Sequence, residues 1–317
     1  MHSTRAVSLG ETALEVFRRT GKIGKVLSVF DHTINILSSE EALVTIACKT
    51  VDDSPINLKV DSSCFKDKGR PTESTPVTVK NDSIFLGNSL LITGLRDAPI
   101  WRPDIILPQH LEAQRLLEAI HTAVNAVKIF GQPEGFKPLL PHIRGLISQE
   151  PNSPLIRGLN PYAEKAFPSV KGLVECLELR DVKGAAGEAT QLIGLGPGLT
   201  PSGDDFLCGL LGTLSIVSPF LGDLSRNIDD LNRMVLSSVN GRTNPISREY
   251  LKHYAGGKPS MSISRMIQNL LDGSESSIEE SIQYVCRVGH SSGTDIAVGV
   301  LTAFSILLRT IYRIKDA

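Results

Sequence analysis

The chain has 317 residues, 41% of them hydrophobic and 21% charged, which fits a folded soluble protein and not a disordered one. Its 33 Lys and Arg are matched by 34 Asp and Glu, so the basic excess of a nucleic-acid-binding domain is absent. The length calls for about two domains, and no uninterrupted apolar run reaches the ~18 residues of a membrane helix.

Residues 1–30 carry Arg5, Glu11, Glu15, Arg18 and Arg19 with no apolar signal core, so no secretory leader is expected. A helix from Gly10 to about Thr20 is followed by short runs rich in β-branched residues. These are Val26–Phe30, Thr33–Leu37, Ala42–Ala47, Val77–Val79, Ile84–Leu86 and Leu90–Ile92, with Ser38–Glu41, Asn81-Asp82 and Gly87-Asn88 as turns. Strands at this spacing predict a small β-barrel or sandwich.

The period changes after Pro103 and Pro108. Leu111, Leu116, Leu117, Ile120, Ala123, Val124 and Val127 recur at helical spacing up to Phe130, where Gly131 and Pro133 end the helix. Pro138, Pro141, Pro151, Pro154 and Pro161 mark a loop crossing with short helical pieces. From about Ser169 to Tyr312 the chain reads as successive helices. The expected fold class is therefore α+β: a mostly β domain over 1–106 and a mainly α-helical domain over 107–317. Cys48, Cys64, Cys176, Cys208 and Cys286 are odd in number and never spaced C-x-x-C, which points to a reducing, cytoplasmic setting without a disulfide framework or structural zinc.

One segment concentrates chemistry: Gly194-Leu195-Gly196-Pro197-Gly198-Leu199-Thr200-Pro201-Ser202-Gly203-Asp204-Asp205, running into an apolar stretch from Phe206. This is a tight loop feeding a buried helix. Glycines admit positive φ and close backbone approach, and the first N–H groups of a helix have no internal partner, so they can face an anion. The pattern returns later. Residues 199–214 and 289–304 share five of 16 positions, and both copies read S-G-x-D-x-x-x-G-x-L. Gly209 and Gly299 would lie inside helices, at a cost of roughly 0.5–1 kcal/mol each relative to Ala. Close packing explains such a cost, so two similar helices are expected to lie together with their amino ends converging.

S-x-x-D is also a capping-box variant, with Ser202 or Ser292 capping its own helix and Asp205 or Asp295 at the third position. Capping alone does not need four glycines, two prolines and Thr200. A ligand reading assigns Gly196, Gly198, Thr200, Ser202 and Gly203 to anion contacts, with Ser291, Ser292, Gly293, Thr294 and Asp295 as the echo. A helix dipole supplies at most ~2 kcal/mol, whereas millimolar binding needs about 4.1 kcal/mol. Arg242, Thr243, Ser247 and Arg248, at another helix start, are the candidate supplements. Asp204, Asp205 and His290 are the candidate catalytic groups. The two aspartates could orient a proton or hold Mg²⁺, but neighbours on a helix point ~100° apart, so they should not face one ligand. Each of these residues also has a bland reading, as a cap, a solvated charge or a hydrogen-bonded scaffold histidine.

The segment from Gly194 to Leu207 resembles the signature of the AllH family. Val26–Phe30 with Asn35 is similar to that family's opening strands, and Trp101-x-Pro103 to its domain junction. Thr243-x-x-Ile246-Ser247-x-x-Tyr250-Leu251 and Gly289 to Leu301 also look like family features. The resemblance implies a subunit associated with oxamate carbamoyltransferase. That enzyme phosphorolyses carbamoyl-oxamate (oxalurate) to oxamate and carbamoyl phosphate in purine-nitrogen catabolism, with other protein subunits as partners and a small anionic substrate. A shorter stretch, Thr200-x-Ser202-Gly203-Asp204-x-Phe206-x-x-Gly209-Leu210-Leu211, is similar to part of the ribokinase-type signature, whose aspartate is a base. There Pro201 departs from the usual Gly, and the strand–helix alternation of those kinases is missing. A non-catalytic assembly or ligand-binding subunit is the third reading. No nucleic-acid or membrane partner is expected.

Overall fold

The computed structural model describes residues 2–66, 70–148 and 158–316. Backbone contacts divide the chain into two units, Met1–Asp104 and Ile105–Ala317.

The first unit contains β1 (His2–Gly10), α1 (Glu11–Phe17), β2 (Gly21–Val29), β3 (Thr33–Ser38), β4 (Leu43–Cys48), β5 (Asn57–Val60), β6 (Pro76–Lys80), β7 (Ser83–Leu86), β8 (Leu90–Thr93) and β9 (Ile100–Trp101). The sheet order is β5-β4-β3-β2-β6-β7-β8-β1, and an antiparallel β1–β5 pairing closes these eight strands into a barrel, with β9 appended beside β1. The fold is thus a barrel and not an open sandwich, and closure leaves no free edge within the eight. Val77, Val79, Ile84, Leu86, Leu90 and Ile92 alternate into its core. Asn81 and Asp82 both have positive φ (47° and 63°), as a two-residue type I′ hairpin requires. Asn35 is buried and satisfied at both ends of its amide: it donates to Ser28 Oγ and accepts from Thr45 Oγ1, pinning β2, β3 and β4 together.

Strands β1, β5 and β9 escaped the sequence reading. Each is short or polar, and β1 is held by partners far away in sequence, β5 and β8. The expected opening helix is shorter than predicted, and Ala13, Val16 and Phe17 form its buried stripe.

The second unit contains α2 (Ala113–Phe130), a 3₁₀ turn at Lys137–Leu139, then α3 (Leu140–Ser148), α4 (Pro161–Glu178), α5 (Val182–Leu192), α6 (Ser202–Val217), α7 (Ser225–Ser237), α8 (Pro245–Ala255), α9 (Met261–Asp272), α10 (Glu275–Val285) and α11 (Ser292–Asp316). Pro161 opens α4 at its first position, with Asn160 capping the Tyr162 and Ala163 amides. Pro151 and Pro154 lie outside the described residues. Gly131 ends α2 in an extended conformation (φ −69°), not a left-handed cap, and an added Cβ there would meet Val127 O at 2.5 Å.

Helix α6 is buried on all but two of its 16 residues, so it is a central helix and not an amphipathic surface one. Helix α11 is, over Ser292–Tyr312, long and apolar enough to cross a membrane by length and composition. The sequence reading missed this because Asp295 and Arg309 interrupt the apolar run. Most of that stretch is buried within the helical unit, and Arg309 pairs with Glu178 at 2.9 Å.

The sequence echo is a structural duplication. Helices α5 and α10 are both 11 residues long; Asp181 caps one through the Gly184 amide and Ser274 caps the other through the Ser277 amide. Each packs against the helix before it, α4 or α9, and each leads through a glycine-bearing loop into a central helix, α6 or α11. Thr200 meets Ser292 at the amino ends, while Gly209 lies against Ile296 and Val300 further along, so α6 and α11 run parallel. A Cβ on Gly209 would sit 2.1 Å from Ile296 O, and one on Gly299 would sit 2.1 Å from Phe206 O. That near contact of backbones accounts for both interior glycines.

Candidate functional site

Three helix starts meet around the glycine-rich loop. The amino ends of α6 and α11 are joined by a 2.8 Å hydrogen bond between the Thr200 and Ser292 hydroxyls. Helix α8 is tied in by Asn244, whose Nδ2 donates to Leu199 O at 2.7 Å while its Oδ1 caps the Ile246 and Ser247 amides. Such a convergence aims three positive dipole ends at one region.

The loop glycines have individual causes. Gly194, Gly196 and Gly198 all have positive φ (75°, 125° and 88°). A Cβ on Gly194 would meet Arg242 O at 2.2 Å, one on Gly196 would meet Ser202 N at 2.6 Å, and one on Gly203 would meet Leu192 O at 1.9 Å. The second copy repeats the last of these, with Gly293 against Val285 O at 1.8 Å. Packing therefore explains three of the four. Gly198 alone has open space on its side-chain face, beside exposed Pro197 and Leu199. Among the described residues, the amides of Gly196, Gly198, Leu199 and Thr200 donate to no protein acceptor, whereas those of Gly194, Leu195 and Gly203 are used internally.

Asp204 and Asp205 diverge. Asp204 is fully buried: its Oδ1 accepts from the Gly194 amide at 2.8 Å, and its Oδ2 accepts from Ser247 Oγ at 2.7 Å and from Thr243 Oγ1. It is a strut between the loop, α6 and α8. Burial raises its pKa, and the bonds from Thr243, Gly194 and Ser247 oppose that rise. Asp205, 4% exposed, lies on the α11 side near the Ser292 and Thr200 hydroxyls. Burial pushes its pKa far up; Ser292 opposes the shift, and the like charge of Asp295 adds to it.

Asp295 is fully buried and accepts from the Phe136 amide at 2.6 Å. Burial raises its pKa to about 7, against the Phe136 amide and the nearby Ser202 and Ser291 hydroxyls. Ser202 of α6 thus addresses Asp295 of α11, and Ser292 of α11 addresses Asp205 of α6. Among the described residues neither helix makes the capping box expected within it; the serines near the two aspartates come from the other helix, with Ser291 also near Asp295 from its own helix start. Consistent with this, α6 has Pro201 at its cap and no side-chain cap bond. Thr294 Oγ1 accepts from the Gln132 amide, fixing the turn that presents Phe136.

The remaining candidates are placed as follows. His290 and Arg242 are exposed, Ser291 is half-buried, and Arg248 is half-buried and directed to Asn240 Oδ1 at 3.4 Å. No group of three or more His, Cys, Asp or Glu side chains fit to hold a metal gathers among the described residues. With the two aspartates diverging, they do not face one ion together. Asn244, Phe136 and Tyr250 were not among the candidate site residues. Burial raises the Tyr250 pKa to about 12, with Asp205 contributing. Only the cap position of Asn244, just before Pro245, carried a local signal. A cleft of about 380 Å³ lined by Leu177, Glu178, Arg180, Asp223 and Arg309 also opens in the helical unit, and no residue of the glycine-rich loop lines it.

Two family models match the chain. One, described as oxamate carbamoyltransferase subunit AllH, covers residues 192–304 and so contains the loop, α6, α8 and the first half of α11. The other, the AllH family N-terminal domain, covers residues 5–99. No solved structure matches the chain.

Proposed function

The chain belongs to the AllH family, and on that premise we propose that it is a subunit of a carbamoyl-transferring enzyme that holds an anionic reactant on its glycine-rich loop. The reaction is phosphorolysis of oxalurate: a phosphate oxygen bonds to the carbamoyl carbon, the bond from that carbon to the oxamate nitrogen breaks, and that nitrogen gains a proton. Negative charge gathers at the phosphate and at the tetrahedral oxygen, and preorganised N–H donors are suited to both.

The observation that carries this reading is the set of unbonded loop amides at Gly196, Gly198, Leu199 and Thr200, placed where α6, α8 and α11 begin. We assign the anion contacts to these amides and to the Thr200, Ser291 and Ser292 hydroxyls, with Arg242 and Arg248 as nearby positive charge and His290 at the exposed rim. Ser202, Gly203, Thr243, Ser247, Gly293 and Thr294 shape the loops from below. Asp204 serves as a positioning residue, because both its oxygens are already taken. That engagement favours a positioning role over the base of the kinase-like reading. The five unbridged cysteines accord with a cytoplasmic setting.

The test is reconstitution. With partner subunits, oxalurate and phosphate, carbamoyl phosphate should form only when this chain is present, and the isolated chain should give binding heat with phosphate or oxamate in calorimetry. Full turnover without the chain would remove it from the enzyme. Turnover that depends on the chain, with no heat from any of these anions, would make it an assembly subunit.

A further inference from the structure

We infer that Asp205 and Asp295 act as one acid pair, which holds a single proton at neutral pH and exchanges it with a loop-bound ligand through the hydroxyls of Thr200 and Ser292. The ligand side of this inference rests on the proposed anion loop; the shared proton does not.

The geometry sets up the pair. Both side chains are more than nine-tenths buried, and in each one oxygen, Oδ2, has no hydrogen-bond partner among the described residues. They sit at equivalent positions at the starts of two parallel helices, one turn before Gly209 and Gly299 where the two backbones touch, and each is approached by a serine from the other helix. An unpartnered carboxylate oxygen in a dry interior is costly, and two adjacent anions are costlier still, so one proton retained between them relieves both penalties. The two dipoles favour keeping the other charge. Such a pair titrates as a unit, not as two separate residues.

Among the described residues no cation faces the pair. Asp205 meets Asp295 from α11, Tyr250 from α8, and Asp204 and Cys208 from its own helix. Near Asp295, Cys286 contacts its neighbour Thr294, and the Lys137 ammonium is directed to Gly131 O. A proton is therefore the available neutraliser.

The exit is the Thr200–Ser292 hydroxyl pair. These oxygens are 2.8 Å apart, the residues are half-buried, and both lie near Asp205. In the proposed reaction, hydrogen phosphate loses its proton as its oxygen bonds to the carbamoyl carbon, and the departing amide nitrogen needs one. The pair takes up the first proton through a hydroxyl and returns one to the nitrogen, so it ends as it began.

The experiment follows aspartate carboxyl carbons by NMR against pH in the full chain, wild type and as Asp205→Asn and Asp295→Asn, with Ser202→Ala and Ser292→Ala as milder changes that keep both acids. One proton should be held per pair near neutrality, and removing either acid should move the survivor's titration toward the ordinary aspartate range. Two ionised, or two protonated, carboxyls at about pH 7.5 would overturn the pair. Calorimetry with inorganic phosphate in buffers of different ionisation enthalpy reads the exchange: phosphate's own second ionisation contributes in every variant, and the wild type should show proton linkage beyond that left in Asp205→Asn. Equal proton linkage in the two overturns the exchange and spares the anion loop. Absence of phosphate binding overturns the exchange and the loop reading together, while the carboxyl titration still decides the pair.

Discussion

Asp204 and Asp205 are adjacent in the chain yet serve different neighbours. Asp204 binds the Gly194 amide, Thr243 and Ser247, while Asp205 turns to Thr200, Ser292 and Asp295. The ~100° step between successive helical residues is the cause. One carboxylate fixes the loop to α8, and the other enters the contact between α6 and α11.

Replacing Asp204 should therefore damage the loop first. Asp204→Ala leaves three donors without their acceptor and should lower stability by on the order of 3 kcal/mol, read as a drop in Tm. Asp204→Asn should cost less, since its carbonyl still accepts while its NH₂ opposes the donors on the other side.

Gly209→Ala and Gly299→Ala each push a methyl group to within 2.1 Å of a carbonyl oxygen on the facing helix. Each should destabilise by about 1–3 kcal/mol in denaturant unfolding. The double variant should lose less than the sum, because the first substitution already separates the helices.

Asp295 makes stability depend on pH in a defined direction. Burial raises its folded pKa from 3.8 to about 7, so the folded state keeps a proton that the unfolded chain releases. The stability linked to this group is complete below its ordinary value and is lost as pH rises through about 7, by on the order of 4 kcal/mol. Asp205 acts in the same direction. Asp295→Asn should flatten the fall in Tm across that window relative to wild type. An unchanged slope would contradict the assignment.

The exchanged serines are testable by a double-mutant cycle. Ser202→Ala with Asp295→Asn should show a coupling of roughly 0.5–3 kcal/mol in unfolding, despite the two residues lying on different helices. Ser202→Ala with Asp205→Asn, the pair expected from an ordinary capping box, should couple less.

Gly198 tests the loop itself. Its φ of 88° disfavours any other residue, but nothing within 4 Å would clash with a methyl group. Gly198→Ala should cost about 1–2 kcal/mol and weaken phosphate binding in calorimetry. Arg242→Ala should weaken the same binding and reduce its sensitivity to salt.

Much of this was legible in sequence. The β-to-α change of period and most strands of the barrel were readable, because a buried stripe or an Asn-Asp turn is a local feature. Strands β1 and β5 were not, since their stability comes from partners distant in the chain. The glycine-rich segment was conspicuous, but its glycines suggested a ligand more strongly than they should have. Arg242 O, Ser202 N and Leu192 O lie where the side chains of Gly194, Gly196 and Gly203 would be, and none of these approaches is visible in the sequence.

The repeated S-G-x-D-x-x-x-G by itself determined that two alike helices would pair through Gly209 and Gly299, because an interior glycine is tolerated where backbones touch. Only the tertiary structure decided which serine serves which aspartate. The same spacing fits a cap within one helix or an exchange between two, and the choice went to exchange because the parallel helices bring Ser202 beside Asp295 and Ser292 beside Asp205 in the dry space where their amino ends meet.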